Sequence, residues 1–142
     1  MNHAHRRRPA GFTLLEILVV LVILGLMASL VGPQLFKQLG GSKTRAAQLQ
    51  IQELSAALDL SRLELGGYPN TEQGLEALIN KPRNVDNWNG PYLKKNVIRM
   101  DPWGNPYQYR APGQNGEFDL WSLGADKREG GDGENRDVRS WE

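Results

Sequence analysis

The chain has 142 residues, with 17 basic and 16 acidic side chains and a formal charge of +1. That length allows one modest domain, and that balance gives no electrostatic footprint for nucleic acid. Cysteine is absent and the only histidines are His3 and His5, which excludes disulfides, thiolate metal sites and cysteine nucleophiles, and excludes imidazole chemistry from any product cut downstream of them.

The N-terminal stretch is basic, carrying Arg6, Arg7 and Arg8 before Pro9-Ala10-Gly11. Twenty residues follow from Phe12 to Val31, and Glu16 is the only charged one among them. At about 1.5 Å per residue a helix of that length spans roughly 30 Å, the thickness of a bilayer's hydrocarbon core. The upstream arginines predict a cytoplasmic N-terminus. A lone carboxylate one turn inside such a span is costly and asks for a functional reason. Three readings fit this pattern. A secretory signal cut near Ala28-Ser29 would need an unusually long apolar region with a charge inside it. A plain signal anchor explains the arginines and the length but not Glu16. The third is carried by Gly11-Phe12-Thr13-Leu14-Leu15-Glu16, which resembles the class III signal of type IV pilin-like proteins.

In that family the leader is cut before the apolar helix, which stays in the product. Gly11 has no side chain to obstruct a prepilin peptidase, and cleavage after it would free the α-amino group of Phe12 for methylation. The resemblance implies that Glu16 of an incoming subunit meets the Phe12 amine of a docked neighbour, where pairing in low dielectric selects register. The alternative is that Glu16 snorkels to the headgroups. Without residues 1–11 the chain loses three of its basic residues and no acid, leaving a formal charge of −2.

Beyond the span (residues 12–33), Gly32-Pro33 predicts a bend, because proline lacks an N–H and clashes with the preceding turn. Whether that point is a static kink or a melting segment stays open. Over residues 34–65, Ala47, Ile51, Leu54, Leu58 and Leu65 recur at helical spacing, with Gln48, Gln52, Glu53, Asp59 and Arg62 on the other side. This predicts an amphipathic continuation of the helix, with a soft spot at Gly40-Gly41-Ser42. Gly66-Gly67-Tyr68-Pro69 ends it. Residues 66–142 form the globular part. Asn70-Thr71-Glu72 starts a short helix carrying Leu75, Leu78 and Ile79, and Trp88 to Leu93 is a turn-rich connection whose aromatics pack. After the tight turn Asp101-Pro102-Trp103-Gly104-Asn105-Pro106, one strand is expected at Tyr107–Arg110 and its antiparallel partner at Phe118–Ser122. The fold class is α+β: a long N-terminal helix, transmembrane in its first half, packed on a small antiparallel sheet.

From Asp126 to Glu142 the chain carries Asp126, Glu129, Asp132, Glu134, Asp137 and Glu142, interrupted by Gly130, Gly131 and Gly133. Val138 and Trp141 are the only sizeable apolar residues there, so hydrophobicity alone will not fold the segment. Composition leaves two readings open: a solvated polar tail, or a loop organised by a hard cation on carboxylates and carbonyls. The spacing is not that of an EF-hand.

Gly67-Tyr68-Pro69, Asp101 to Tyr107 and Ser122-Leu123-Gly124-Ala125-Asp126, taken with the leader motif, make nearly the whole chain similar to the major pseudopilins of type II secretion. That resemblance implies one structural Ca2+ in the C-terminal loop. Asp126 and Asp137 would be its main side-chain ligands, with the Leu123 carbonyl as backbone ligand and Asp132, Asn135 and the Arg139 carbonyl as secondary candidates. Lys127 departs from the family pattern, which has glycine there. The resemblance also implies a pilin-like structural subunit without catalysis. It would sit single-pass in the bacterial inner membrane with a periplasmic C-terminal domain, self-assembling into a helical filament with minor pseudopilins and an inner-membrane assembly platform. The alternatives are a surface type IV pilin, although such pilins usually carry two C-terminal cysteines, and a membrane-anchored periplasmic enzyme or binding domain. Any enzyme would have to rely on carboxylates such as Asp101 and Asp119, on lysine or on the cation.

Overall fold

Thr13 opens the first element. In the computed structural model, which describes residues 11–142, helix α1 runs Leu14–Leu65. Thr13 Oγ1 accepts the Glu16 N–H at 3.2 Å, and the Thr13 carbonyl accepts the N–H groups of Glu16 and Ile17 at 3.1 and 3.3 Å. Thr13 is therefore the N-cap, and it satisfies donors that the first turn would otherwise leave open. The leader arginines and both histidines lie outside the described residues.

The chain divides into two units, Met1–Lys37 and Gln38–Glu142. In the first, the apolar side chains from Phe12 to Val31 are between 47% and 88% exposed. The chain stays helical through Gly32-Pro33, where proline deprives the Ser29 carbonyl of its N–H partner.

The second unit is built on the C-terminal half of α1. Ala47, Ile51, Leu54, Ala57, Leu58 and Ser61 are buried at spacings of three and four, while Gln48, Gln52, Glu53, Asp59 and Arg62 face solvent. The expected soft spot at Gly40-Gly41-Ser42 is regular helix. Gly40 is buried, and a Cβ there would stand 2.7 Å from Glu134 Cγ, so glycine here permits the C-terminal loop to touch the helix. Gly66 ends α1 at φ +78, its N–H bonded to the Arg62 carbonyl at 2.8 Å.

The short helix expected after Asn70 is a single 3-10 turn, Leu75–Leu78, which buries Leu75, Ala77 and Leu78. Asn70 and Gln73 prepare it by exchanging side-chain to backbone hydrogen bonds of 2.8 and 2.9 Å. Trp88 donates its indole N–H to the Ala77 carbonyl at 2.8 Å and meets Tyr92 edge to face, a packing role. Three tyrosine hydroxyls pin the globular part to α1: Tyr68 to Asp59 at 2.7 Å, Tyr92 to Glu64 at 2.8 Å and Tyr107 to Gln50 at 2.6 Å. Tyr107 is buried and the rings of Tyr68 and Tyr92 pack half-buried against the core, each with its polar tip satisfied.

The sheet has three antiparallel strands in the order β1 (Gln108–Arg110), β2 (Asp119–Ser122) and β3 (Val138–Arg139). Its register sets Tyr109 opposite Leu120, Arg110 opposite Asp119, and Ser122 opposite Val138. Leu120 and Val138 join the helix residues Ile51, Leu54 and Leu58 in one core with Leu75, Leu78, Leu93 and Tyr107. The third strand comes from the acidic tail, which the sequence pattern did not mark as a strand.

Candidate functional site

Two regions carry the residues singled out from the sequence, and they lie at opposite ends of the chain. At the N-terminus Gly11 and Phe12 precede the helix and are exposed, Phe12 at 80%. Among the described residues both lie outside any helix or strand. Glu16 occupies the third helical position, three residues after its Thr13 cap. Thr-x-x-Glu is the spacing of a capping box, a sequence signal that gives Glu16 a favourable place near the helix N-terminus besides any partner it meets. Among the described residues Glu16 forms no ion pair.

The two carboxylates that an enzyme could have drawn on are engaged in turns. Asp101 Oδ1 accepts the N–H groups of Trp103 and Asn105 at 3.0 and 2.8 Å, and its Oδ2 accepts the Ser122 hydroxyl at 2.5 Å. Asn105 in turn donates to the Gly124 carbonyl at 2.8 Å, so this turn fixes the entry to the C-terminal loop. Asp119, fully buried, pairs with Arg110 at 2.5 Å and accepts the N–H groups of Gln114 and Asn115 at 2.8 and 3.0 Å. Burial opposes its ionisation, but the Arg110 guanidinium and the two backbone donors outweigh that and hold the carboxyl below its ordinary range. Both groups serve architecture.

The C-terminal loop is an ordered structure that folds back on itself. Ala125 N–H bonds the Glu134 carbonyl at 2.9 Å, and a Cβ on Gly124 (φ +67) would stand 2.7 Å from that same carbonyl oxygen. Only glycine allows this approach. Lys127, where glycine was the expectation, adopts φ +60 as well, so a left-handed turn follows Asp126 with a side chain that tolerates it poorly. Asp126 Oδ1 accepts the Arg128 N–H at 3.1 Å and the residue is exposed. Asp132 precedes and Asn135 ends a 3-10 turn at Gly133–Asn135, and both are also exposed.

Asp137 is different. It is 4% exposed, and its Oδ2 accepts the Gly130 N–H at 3.0 Å and pairs with Arg139 at 2.9 Å. Its other oxygen, Oδ1, is buried without a hydrogen-bond partner. A buried carboxylate oxygen with nothing to accept is the donor a hard cation needs. Among the described residues no three His, Cys, Asp or Glu side chains gather into a metal cluster. Of the expected ligands, Asp137 alone offers a buried oxygen without a partner, while Asp126, Asp132 and Asn135 are exposed. The sequence reading missed the side chain of Arg139. Residues 137 and 139 share a side of an extended segment, and that alternation was available.

An uncovered apolar N-terminal helix, with a small antiparallel sheet built against the later part of the same helix, defines a pilin-like subunit. The model of the prokaryotic N-terminal methylation motif matches residues 6–32, and that of type II secretion system protein G matches residues 34–141. The chain belongs to the type II secretion system protein G family. It is 50% identical to the type II secretion system core protein G of Pseudomonas aeruginosa over 96% of this chain and 98% of that one. The core protein G of Vibrio cholerae is 46% identical, over 95% and 93%. Among solved structures, the major pseudopilin of the enterohaemorrhagic Escherichia coli type 2 secretion system superposes with a TM-score of 0.61 at 31% identity, covering 71% of this chain and 88% of that one. This is a family of structural secretion-system subunits, not of enzymes.

Proposed function

We propose that this protein is the main structural subunit of a periplasmic pseudopilus, a filament that drives protein export by type II secretion. The single observation that carries this reading is the row of apolar side chains from Phe12 to Val31, about half or more exposed throughout. Burying one such side chain is worth about 1.5–3 kcal/mol, so the row demands either lipid or other apolar helices as its surroundings. A subunit that waits in the bilayer and then stacks helix on helix meets that demand in both states.

In this reading the chain crosses the inner membrane once, with its N-terminus cytoplasmic and residues 66–142 periplasmic. The prepilin peptidase cuts between Gly11 and Phe12, the new Phe12 amine is methylated, and Glu16 pairs with that amine on a neighbouring subunit. Minor pseudopilins and an inner-membrane platform complete the assembly. A calcium ion, if bound, would supply positive charge to the buried Asp137 carboxylate and so help hold the C-terminal loop. Asp137 and the Leu123 carbonyl would hold it, with Asp126 turning inward and Asp132, Asn135 and the Arg139 carbonyl in secondary roles. The orphaned Asp137 Oδ1 supports this site.

Glu16→Ala is the test of the pairing. The variant is expected to be cut and inserted normally while the yield of sheared filaments falls by more than tenfold. Filaments at wild-type yield from a fully processed variant would refute a role for Glu16 in assembly.

A further inference from the structure

The acidic loop contains a cation of its own. Arg139 Nη2 lies 2.9 Å from Asp137 Oδ2, and the guanidinium is 35% exposed against 4% for the carboxylate. The arginine is held from its far side as well, 3.5 Å from Glu142 and 5.7 Å over the ring of Trp141. Of the other arginines in this stretch, Arg136 pairs with Glu142 at 3.0 Å. Asp137 is thus half neutralised by the protein, through Oδ2, and half open, through Oδ1.

We propose that Arg139 is a tethered counter-cation that shares Asp137 with calcium, holding the loop closed in the ion-free protein and weakening calcium binding in the loaded one. This rests on the calcium reading above. A buried carboxylate with no counter-charge is strongly disfavoured, so a loop that depended on calcium alone would open when the ion left. Arg139 removes that dependence by occupying one oxygen, and its planar fork leaves the other free. The same positive charge beside a divalent ion repels it across a few ångströms of partly dry protein. Arg139 is therefore a positioning residue for Asp137 and sets how much the subunit relies on calcium.

The test uses the full processed chain in detergent micelles, as wild type, Arg139→Gln and Arg139→Lys. Thermal unfolding is followed by near-ultraviolet circular dichroism in chelator, and calcium chloride is titrated into chelator-treated protein by calorimetry. Arg139→Gln is expected to melt below wild type in chelator, to bind calcium about tenfold more tightly, and to regain wild-type melting in excess calcium. Arg139→Lys is expected to fall between the two, which a loss of packing alone would not produce. Equal melting of Arg139→Gln and wild type in chelator would overturn the proposal. So would a lower melting point with unchanged calcium affinity, which would leave a structural ion pair without competition. If neither wild type nor Arg139→Gln bound calcium, the calcium reading itself would fall and the competition with it, whereas a wild type that binds with the variant's affinity would sink only the role of Arg139.

Discussion

Replacing Asp119 with asparagine probes the turn that closes β1 onto β2. The carboxylate is fully buried, sits opposite Arg110 in the sheet register, and receives Arg110 at 2.5 Å with backbone donors at 2.8 and 3.0 Å. Asparagine keeps the volume but removes the charge, and its amide nitrogen faces N–H groups that need an acceptor. Breaking a buried pair from one side costs about 3–5 kcal/mol. Arg110 is 35% exposed, so water recovers part of its solvation and the low end applies. A loss of about 3 kcal/mol in a unit of this size lowers Tm by on the order of 10 °C.

The pH dependence has a definite sign. Because the folded-state pKa of Asp119 is depressed, its contribution is complete above the unfolded value of about 3.9 and is lost as pH falls through the folded value. Thermal unfolding by circular dichroism should show a gap between wild type and Asp119→Asn that is constant from neutrality down to about pH 5 and closes below about pH 4. Equal melting at neutral pH, or a gap as wide in acid as at neutrality, would refute the role given to this carboxylate.

Two other outcomes are expected. Gly124→Ala sets a Cβ 2.7 Å from the Glu134 carbonyl at φ +67, and should destabilise the chain by about 1–3 kcal/mol, measured by urea unfolding. Chelator should lower Tm and calcium restore it, by up to about 2.7 kcal/mol at a hundredfold excess over Kd; Asp126→Ala should shrink that response, and a melting curve indifferent to chelator would remove the calcium site.

Much of this fold is legible in the residue pattern. Ala47, Ile51, Leu54 and Leu58 announce the buried stripe of α1 by spacing alone, and Phe118 to Ser122 announces a strand. What spacing could not show depends on tertiary partners. Ala57 and Ser61 are buried because the stripe is broader than its large residues, and Leu63, 82% exposed, has a leucine's chemistry without a core to enter. Gly40 looks like a weak point in a helix and is instead a point of close approach for Glu134. β3 is two residues long and leans entirely on β2, so no local pattern announces it. Asp137 stands among five other acids in the tail, and only the fold reveals it as the one that is buried and half paired. At the N-terminus the reverse holds: Gly11, Phe12 and Glu16 are read from sequence, and the structure adds the Thr13 cap.

The retention of the apolar helix in the mature subunit is tested most directly by intact mass and N-terminal sequencing of the protein purified from bacterial membranes. A chain beginning at N-methylated Phe12 is the predicted result. A chain beginning at Ala28 or Ser29 would contradict it, because the apolar helix proposed to stack in the filament would have been discarded with the signal.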